Sequence, residues 1–184
     1  MLLVIVEGLG AFADPEHQQL LADRFAAATL HNVTAGTAPF FGSTTAGEMR
    51  ELCVSRESYE LLLEEPQPCL PGLLCHAGYD TIGIHGYPGY IFEREDWWPN
   101  AGFNRMLFAA DLYPGIESQC GGTFRGICDR EIGARLIDLV GGDRGPRFIY
   151  WLTLNTHVPI RLGDGTPRLD CEDGARSTTT RSAT

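Results

Sequence analysis

A chain of 184 residues has room for one domain with a substantial core, and an apolar fraction of 43% with 21% charged residues is that of a globular protein. Net charge is −10 and all 14 basic residues are arginine, so no basic stripe exists to neutralise phosphates and a nucleic-acid partner is excluded. No apolar run reaches the roughly 18 residues that a membrane span needs.

The opening stretch, MLLVIVEGLG, lacks the charged n-region and cleavage site of a signal peptide. Leu2 to Val6 reads instead as a fully buried parallel strand that begins at once, and upstream sequence is expected to be missing. Asp14-Pro15 then has the form of an N-cap and a first-turn proline. The helix they open runs to about Ala28, with Leu20, Leu21, Phe25 and Ala26 at helical spacing. A second strand is expected over His31 to Thr34. The segment FFGSTTAGEMRELC follows, with a short helix whose one face carries Met49, Leu52 and Cys53.

Leu70-Pro71 starts another helix, which Gly78 is placed to end. Thr81 to His85 is the next strand, and the aromatic-rich stretch from Ile91 to Phe103 reads as loop and short helix. Asp129 to Val140 is an amphipathic helix, with Ile132, Leu136, Ile137 and Val140 on one side and Gly141 at its end. Phe148 to Leu154 closes the pattern as a strongly apolar strand. Strands alternating with helices imply an α/β fold with a mainly parallel sheet. Beyond Pro159 periodicity ceases, so residues 1–160 are expected to be the folded part and 161–184 a disordered or non-native tail.

The six cysteines form no Cys-x2–4-Cys pair of the kind structural zinc prefers. Spread through Pro- and Gly-rich segments, they suit disulfides in an oxidising compartment. Cys120 with Cys128, around a Gly-Gly turn, is the first pairing expected, and Cys53 with Cys69 the second.

In open α/β sheets function gathers at the carboxyl ends of strands. Three such ends carry polar groups here: Glu7, His85 and, a little beyond its strand, His157. Glu7 is either a ligand for a hard cation or a solvated loop residue. Thr45-Ala46-Gly47-Glu48 fits a capping box, which gives Thr45 a structural task and leaves Thr44 without one, just ahead of a helix. A threonine hydroxyl needs a metal or a base to become a nucleophile, and Glu7 could hold that metal. Arg94 suits bidentate binding of an oxyanion, or else a surface ion pair with Glu93 or Glu95. His157 could donate to an oxyanion or cap a turn.

VIVEGLG, STTAGEMREL, GYDTIGIHGYPGYIFEREDWWPNAGF and WLTLNTHVPI, in this order, resemble the sulfatase-type branch of the alkaline phosphatase superfamily. The likeness is greatest to lipoteichoic acid synthases and to their phosphoethanolamine- and phosphoglycerol-transferase relatives. It implies an alkaline-phosphatase-like three-layer sandwich and a divalent cation, zinc or manganese. It also implies a phospho-threonine intermediate, from which an anionic phospholipid-type donor's group passes to a glycan or lipid hydroxyl in the cell envelope. Such chemistry belongs to the periplasm or the extracytoplasmic face of the membrane.

In the synthase register, with the helix glutamate at Glu48, Thr44 matches the nucleophile. In the phosphoethanolamine-transferase register Thr45 would. Glu7 matches the first metal-binding glutamate, so the metal would be held by Glu7 and Thr44. Arg94 matches an arginine contacting the donor phosphate, Phe92 stands where the synthases have tryptophan, and His157 matches their substrate histidine. The family completes its metal site with an Asp-His pair downstream, and no Asp-His dipeptide occurs here. The expectation is therefore a fragment with an incomplete sheet and metal site, without the membrane-spanning segments of its relatives, that does not catalyse by itself. Two other readings stay open: a sulfatase or phosphodiesterase with water as acceptor, against which T-T-A-G-E in place of C/S-x-P-x-R argues, and a non-catalytic anion-binding or self-associating domain.

Overall fold

Four apolar stretches of the chain pair as one parallel sheet in the computed structural model, which describes residues 1–8, 14–26, 34, 36, 40–114, 119–120, 124–141 and 145–157. Strand β1 (Leu2–Ile5) is followed by helix α1 (Pro15–Ala26), α2 (Thr44–Cys53), the short α3 (Leu61–Glu64) and α4 (Leu70–His76). Strand β2 (Asp80–His85) leads through a single 3-10 turn into α5 (Arg94–Ala101), β3 (Arg105–Leu107) and α6 (Ala109–Leu112). A two-stranded hairpin, β4 (Gln119–Cys120) and β5 (Gly126–Ile127), precedes α7 (Asp129–Val140) and β6 (Arg147–Leu152). The sheet order is β1-β6-β2-β3 with every pairing parallel. All four carboxyl ends consequently lie along one edge.

Alternation along the strands sorts the core into two halves. Phe148, Tyr150 and Leu152 of β6 face a cluster with Met49 and Leu52 of α2 and Trp97, Trp98 and Ala101 of α5. Ile149 of the same strand and Ile82 and Ile84 of β2 face the other way, onto Ile132 and Leu136 of α7 and Leu112 of α6. Helices thus cover both faces, as a parallel sheet requires. The first cluster is aromatic at its centre: the Trp98 ring lies 5.0 Å from Phe108, 5.3 Å from Phe103 and 5.6 Å from Tyr150, centroid to centroid.

The expected helix over Asp129–Val140 has those bounds, and the apolar strands over 81–85 and 148–154 are displaced by a residue or two. Both expected disulfides are present, Cys53–Cys69 tying the end of α2 to the start of α4 and Cys120–Cys128 closing the hairpin. Cys75 is a free thiol, half-buried. The first strand corrects an expectation. Its apolar run is half-buried on one face and exposed on the other, with Leu2 46% and Val4 36% exposed, because among the described residues β1 pairs with β6 alone and no element covers its other face. The strand expected over 31–34 lies, but for Thr34, outside the described residues, and so do the tail of 161–184 and Cys171.

Candidate active site at the carboxyl edge of the sheet

The turn after β1 brings Glu7 to the carboxyl edge and buries it. Its backbone N–H donates to Thr153 Oγ1 at 3.0 Å, and its carbonyl accepts from the Thr156 hydroxyl. Gly8 follows with φ +71, and a Cβ there would stand 3.2 Å from the Thr156 carbonyl oxygen and 3.3 Å from His157 Cα. Only glycine combines that backbone conformation with so close an approach of the loop after β6.

Helix α2 delivers the hydroxyl. Thr44 is its first residue, and Thr44 Oγ1 donates to Glu7 Oε1 at 2.7 Å. From the loop after β6, His157 Nε2 comes within 3.9 Å of the same carboxylate oxygen. Burial raises the Glu7 pKa, opposed by the Thr44 hydrogen bond and by the charges of Arg94 and His157. Three residues picked from the sequence, Glu7, Thr44 and His157, are therefore brought to one point.

Thr45 is not part of it. Its hydroxyl is buried and shares a 2.8 Å hydrogen bond with Ser43 Oγ. The expected capping box is corrected here: Ser43 is the N-cap, extended at φ −80, ψ 173, with its side chain accepting from the Ala46 N–H at 3.3 Å. Glu48 does not reach back to cap the helix. It is fully buried, at 0% exposure, and accepts from Arg94, Nη2 at 2.8 Å and Nε at 3.0 Å, and from the Tyr150 hydroxyl at 3.1 Å. Ser43→Ala should accordingly cost about 1 kcal/mol of stability and Thr45→Ala less at the helix start. Urea denaturation of both variants decides it, and a reversed ranking would return the cap to Thr45.

Arg94, expected to pair on the surface with Glu93 or Glu95 if not with a ligand, is 1% exposed and paired with Glu48 across 46 residues of sequence. Burial would lower its pKa, but Glu48 more than offsets this, and the result is raised. Burial and the same carboxylate hold Tyr150 well above its usual range, so it remains a hydroxyl donor. Phe92 and Glu93, just before Arg94, both adopt left-handed backbone, φ 55 and φ 53. Such conformations cost about 1–2 kcal/mol each for residues with a Cβ. Trp97 Nε1, donating to the Phe92 carbonyl at 3.0 Å, and the Tyr59 hydroxyl, donating to Glu93 Oε2 at 3.2 Å, hold them there.

A narrow cleft opens beside Glu7, lined by Phe92, Arg94, His85, Tyr87 and Phe124 among others. Phe92 and Arg94 thus border the same space as Glu7. His85, at the end of β2, is buried, with Nδ1 3.1 Å from the Leu152 carbonyl. A carbonyl can only accept, so Nδ1 carries the proton and Nε2 is an acceptor. Burial, aided by the Arg94 charge, pushes its pKa down to about 3, which keeps the ring neutral. Phe124 packs edge-on against His157 at 4.5 Å between ring centroids. Glu48 reads from the sequence as a capping residue rather than a partner of Arg94, and Tyr150 and Phe124 are not singled out there. The burial of Glu48 had a signal, since with Thr45, Met49 and Leu52 it falls on one helical face.

Glu7 and Thr44 offer two oxygen donors 2.7 Å apart, chemistry that fits a hard divalent cation. They are fewer than the four ligands zinc takes, and no cluster of three or more His, Cys, Asp or Glu residues suited to a metal occurs among the described residues.

A family model described as Sulfatase matches residues 8–183. The fold resembles the crystal structure of the lipoteichoic acid synthase LtaP from Listeria monocytogenes, with TM-score 0.57 and 16% identity over 70% of this chain and 33% of that one. It also resembles a protein of the alkaline phosphatase superfamily from Vibrio parahaemolyticus, with TM-score 0.66 and 16% identity over 93% of this chain and 44% of that one. The chain therefore spans less than half the length of these solved relatives, and likeness at such identity speaks to fold alone. A search of curated protein sequences finds no match.

Proposed function

Since this chain belongs to the sulfatase family, we propose that it carries the nucleophile side of a phospho-group transferase site of the alkaline phosphatase superfamily type, with Thr44 as nucleophile. The observation that supports this reading best is the Thr44 hydroxyl donating to the buried carboxylate of Glu7 at the carboxyl edge of the sheet. A solvated loop glutamate would not be buried, and the helix cap is made by Ser43, which leaves the Thr44 hydroxyl to donate to Glu7.

In this reading Glu7 and Thr44 would hold a divalent cation, zinc or manganese, together with ligands from outside the described residues. When bound, the cation would lower the hydroxyl's pKa and stabilise charge on the transferred group. Glu7 orients Thr44 Oγ1 by accepting its hydrogen bond and would take the proton as the hydroxyl attacks. Oγ1 then forms a bond to phosphorus, and the bond from phosphorus to the donor's oxygen breaks. His157, beside the same carboxylate, would give a proton to that leaving oxygen. In a second displacement the acceptor's hydroxyl oxygen bonds to phosphorus and its proton passes to His157, the bond from phosphorus to Oγ1 breaks, and Glu7 returns its proton to Oγ1, which regenerates Thr44. Arg94 and Phe92 border the space that the phospho group would enter. The donor would be an anionic phospholipid-type molecule giving a phosphoethanolamine or phosphoglycerol group, and the acceptor a glycan or lipid hydroxyl. Two disulfides support an oxidising site of action, periplasmic or at the extracytoplasmic face of the membrane.

The test is adduct formation. The chain is incubated with manganese or zinc and a phosphatidylethanolamine or phosphatidylglycerol donor, and its peptides are read by mass spectrometry. A phospho adduct on Thr44, lost in Thr44→Ala and kept in Thr45→Ala, is the expected result. An adduct on Thr45 instead moves the nucleophile, and the absence of both an adduct and a zinc or manganese affinity that depends on Glu7 and Thr44 defeats the reading. Release of the group to water alone would mark a phosphodiesterase-type hydrolase.

A further inference from the structure

We propose that Asp129 is a positioning residue for this site, holding the loop after β6 and with it His157 against Glu7. The assignment rests on the reading of His157 as a substrate-facing group. Its geometry is independent of that reading.

Asp129 is the first residue of α7, where a carboxylate ordinarily serves its own helix amides. This one serves another segment. Its oxygens accept from the Leu154 N–H at 3.0 and 3.1 Å and from the Asn155 N–H at 2.7 Å. Asn155 Oδ1 in turn accepts the Asp129 N–H at 2.6 Å. Leu154 and Asn155 lie beyond Leu152, the last residue of the β6 ladder, so the sheet supplies no partner for those amides. From Leu154 the tie continues to the site, since its carbonyl accepts the His157 N–H at 3.1 Å and Thr156 is bonded to the Glu7 carbonyl.

The segment that carries Asp129 is itself wedged between two strand exits. Ile127 N–H donates at 2.9 Å to the carbonyl of Gly86, the residue after His85. Gly126 lies so close that a Cβ would stand 2.2 Å from the Gly86 carbonyl oxygen and 2.6 Å from Leu154 Cδ2. Cys128, next to Asp129, is stapled to Cys120. Residues 126–129 therefore join the exit of β2 to the exit of β6, and the carboxylate is the part that grips the His157 loop. An ionised carboxyl can take two divergent N–H groups, whereas a carboxamide of the same shape turns a donor toward one of them.

The experiment measures amide hydrogen exchange in the full chain and, in parallel, adduct formation on Thr44 for wild type, Asp129→Asn and Asp129→Ala. With Asp129→Ala, exchange at Leu154, Asn155 and His157 should quicken about ten- to hundredfold. Amides of β2 and of the middle of α7 should keep their rates. Asp129→Asn should fall between the two, and the adduct rate at saturating donor should follow the same order. If Asp129→Ala does not fold, Asn155→Ala cuts the reciprocal bond from the other side and should give a smaller rise confined to the same loop. Exchange that rises evenly through α7 and the sheet would make Asp129 a helix-start residue only and overturn the proposal, as would unchanged loop amides. If the local pattern appears and wild type neither forms an adduct nor binds zinc or manganese through Glu7 and Thr44, the positioning stands and the transferase reading falls.

Discussion

Replacing Glu48 with alanine should destabilise the protein by about 3–5 kcal/mol, the cost of leaving a buried charge without its partner. Arg94 and Glu48 are 1% and 0% exposed, so neither charge can turn to solvent when the other is lost. The damage is compounded at Tyr150, whose hydroxyl loses its acceptor in the same core. Glu48→Gln should cost less, because a carboxamide oxygen still accepts from one neighbour. Replacing both members of the pair with methionine should cost less than either single truncation, since no orphan charge remains. Urea denaturation of wild type, Glu48→Ala, Glu48→Gln, Arg94→Ala and the double-methionine variant measures this. If Glu48→Ala fell within about 1 kcal/mol of wild type, the value of an exposed pair, the burial of this ion pair would be refuted. The consequence for the site is specific: Glu48 occupies the Nε–Nη2 edge of the guanidinium, so an oxyanion in the cleft would meet Nη1, whose protein partner is the Ile91 carbonyl at 3.4 Å.

Acidification should weaken the fold through His85. Its pKa in the folded protein is about 3, against 6.5 in an unfolded chain, with burial as the main cause and the Arg94 charge as the next. Between those values the unfolded chain binds a proton that the folded protein refuses. The stability attached to His85 is therefore complete above about pH 6.5 and is lost as pH falls toward 3. At pH 5 the loss should be about 2 kcal/mol, from roughly 1.4 kcal/mol per unit over about 1.5 units. Glu7 and Asp129, whose pKa values burial raises, act in the opposite sense, so the effect must be read by difference. The stability gap between wild type and His85→Gln should narrow by that amount between pH 7 and pH 5. A constant gap would mean that the ring accepts its proton in the folded state as readily as in the unfolded one.

Much of the architecture is local enough to read along the chain. β2, β6 and α7 announce themselves through apolar runs or 3.6-residue spacing, and the two cysteine pairs through short separations in loop-rich segments. β3 and the β4–β5 hairpin do not, since two or three residues carry no period and are strands only because a neighbour offers hydrogen bonds. The exposure of β1 is of the same kind: Leu-Leu-Val-Ile reads as a strand, but edge or centre is settled by which strands pair.

The site divides along the same line. Thr44, Glu7, Arg94, Phe92 and His157 could be picked out by residue type, position at strand ends and family likeness, and the structure places them around one cleft or one carboxylate. The sequence alone also determined the acidic, lysine-free composition, the α/β alternation and the hydroxyl pair at the start of α2. Only the tertiary structure decided which hydroxyl caps and which meets Glu7. The pattern Thr45-x-x-Glu48 satisfies a local capping rule, yet Glu48 answers to Arg94 and Tyr150, 46 and 102 residues away. A buried charge outweighs an exposed cap bond of about 1 kcal/mol, so the long-range partner took the carboxylate and Ser43 was left to cap the helix.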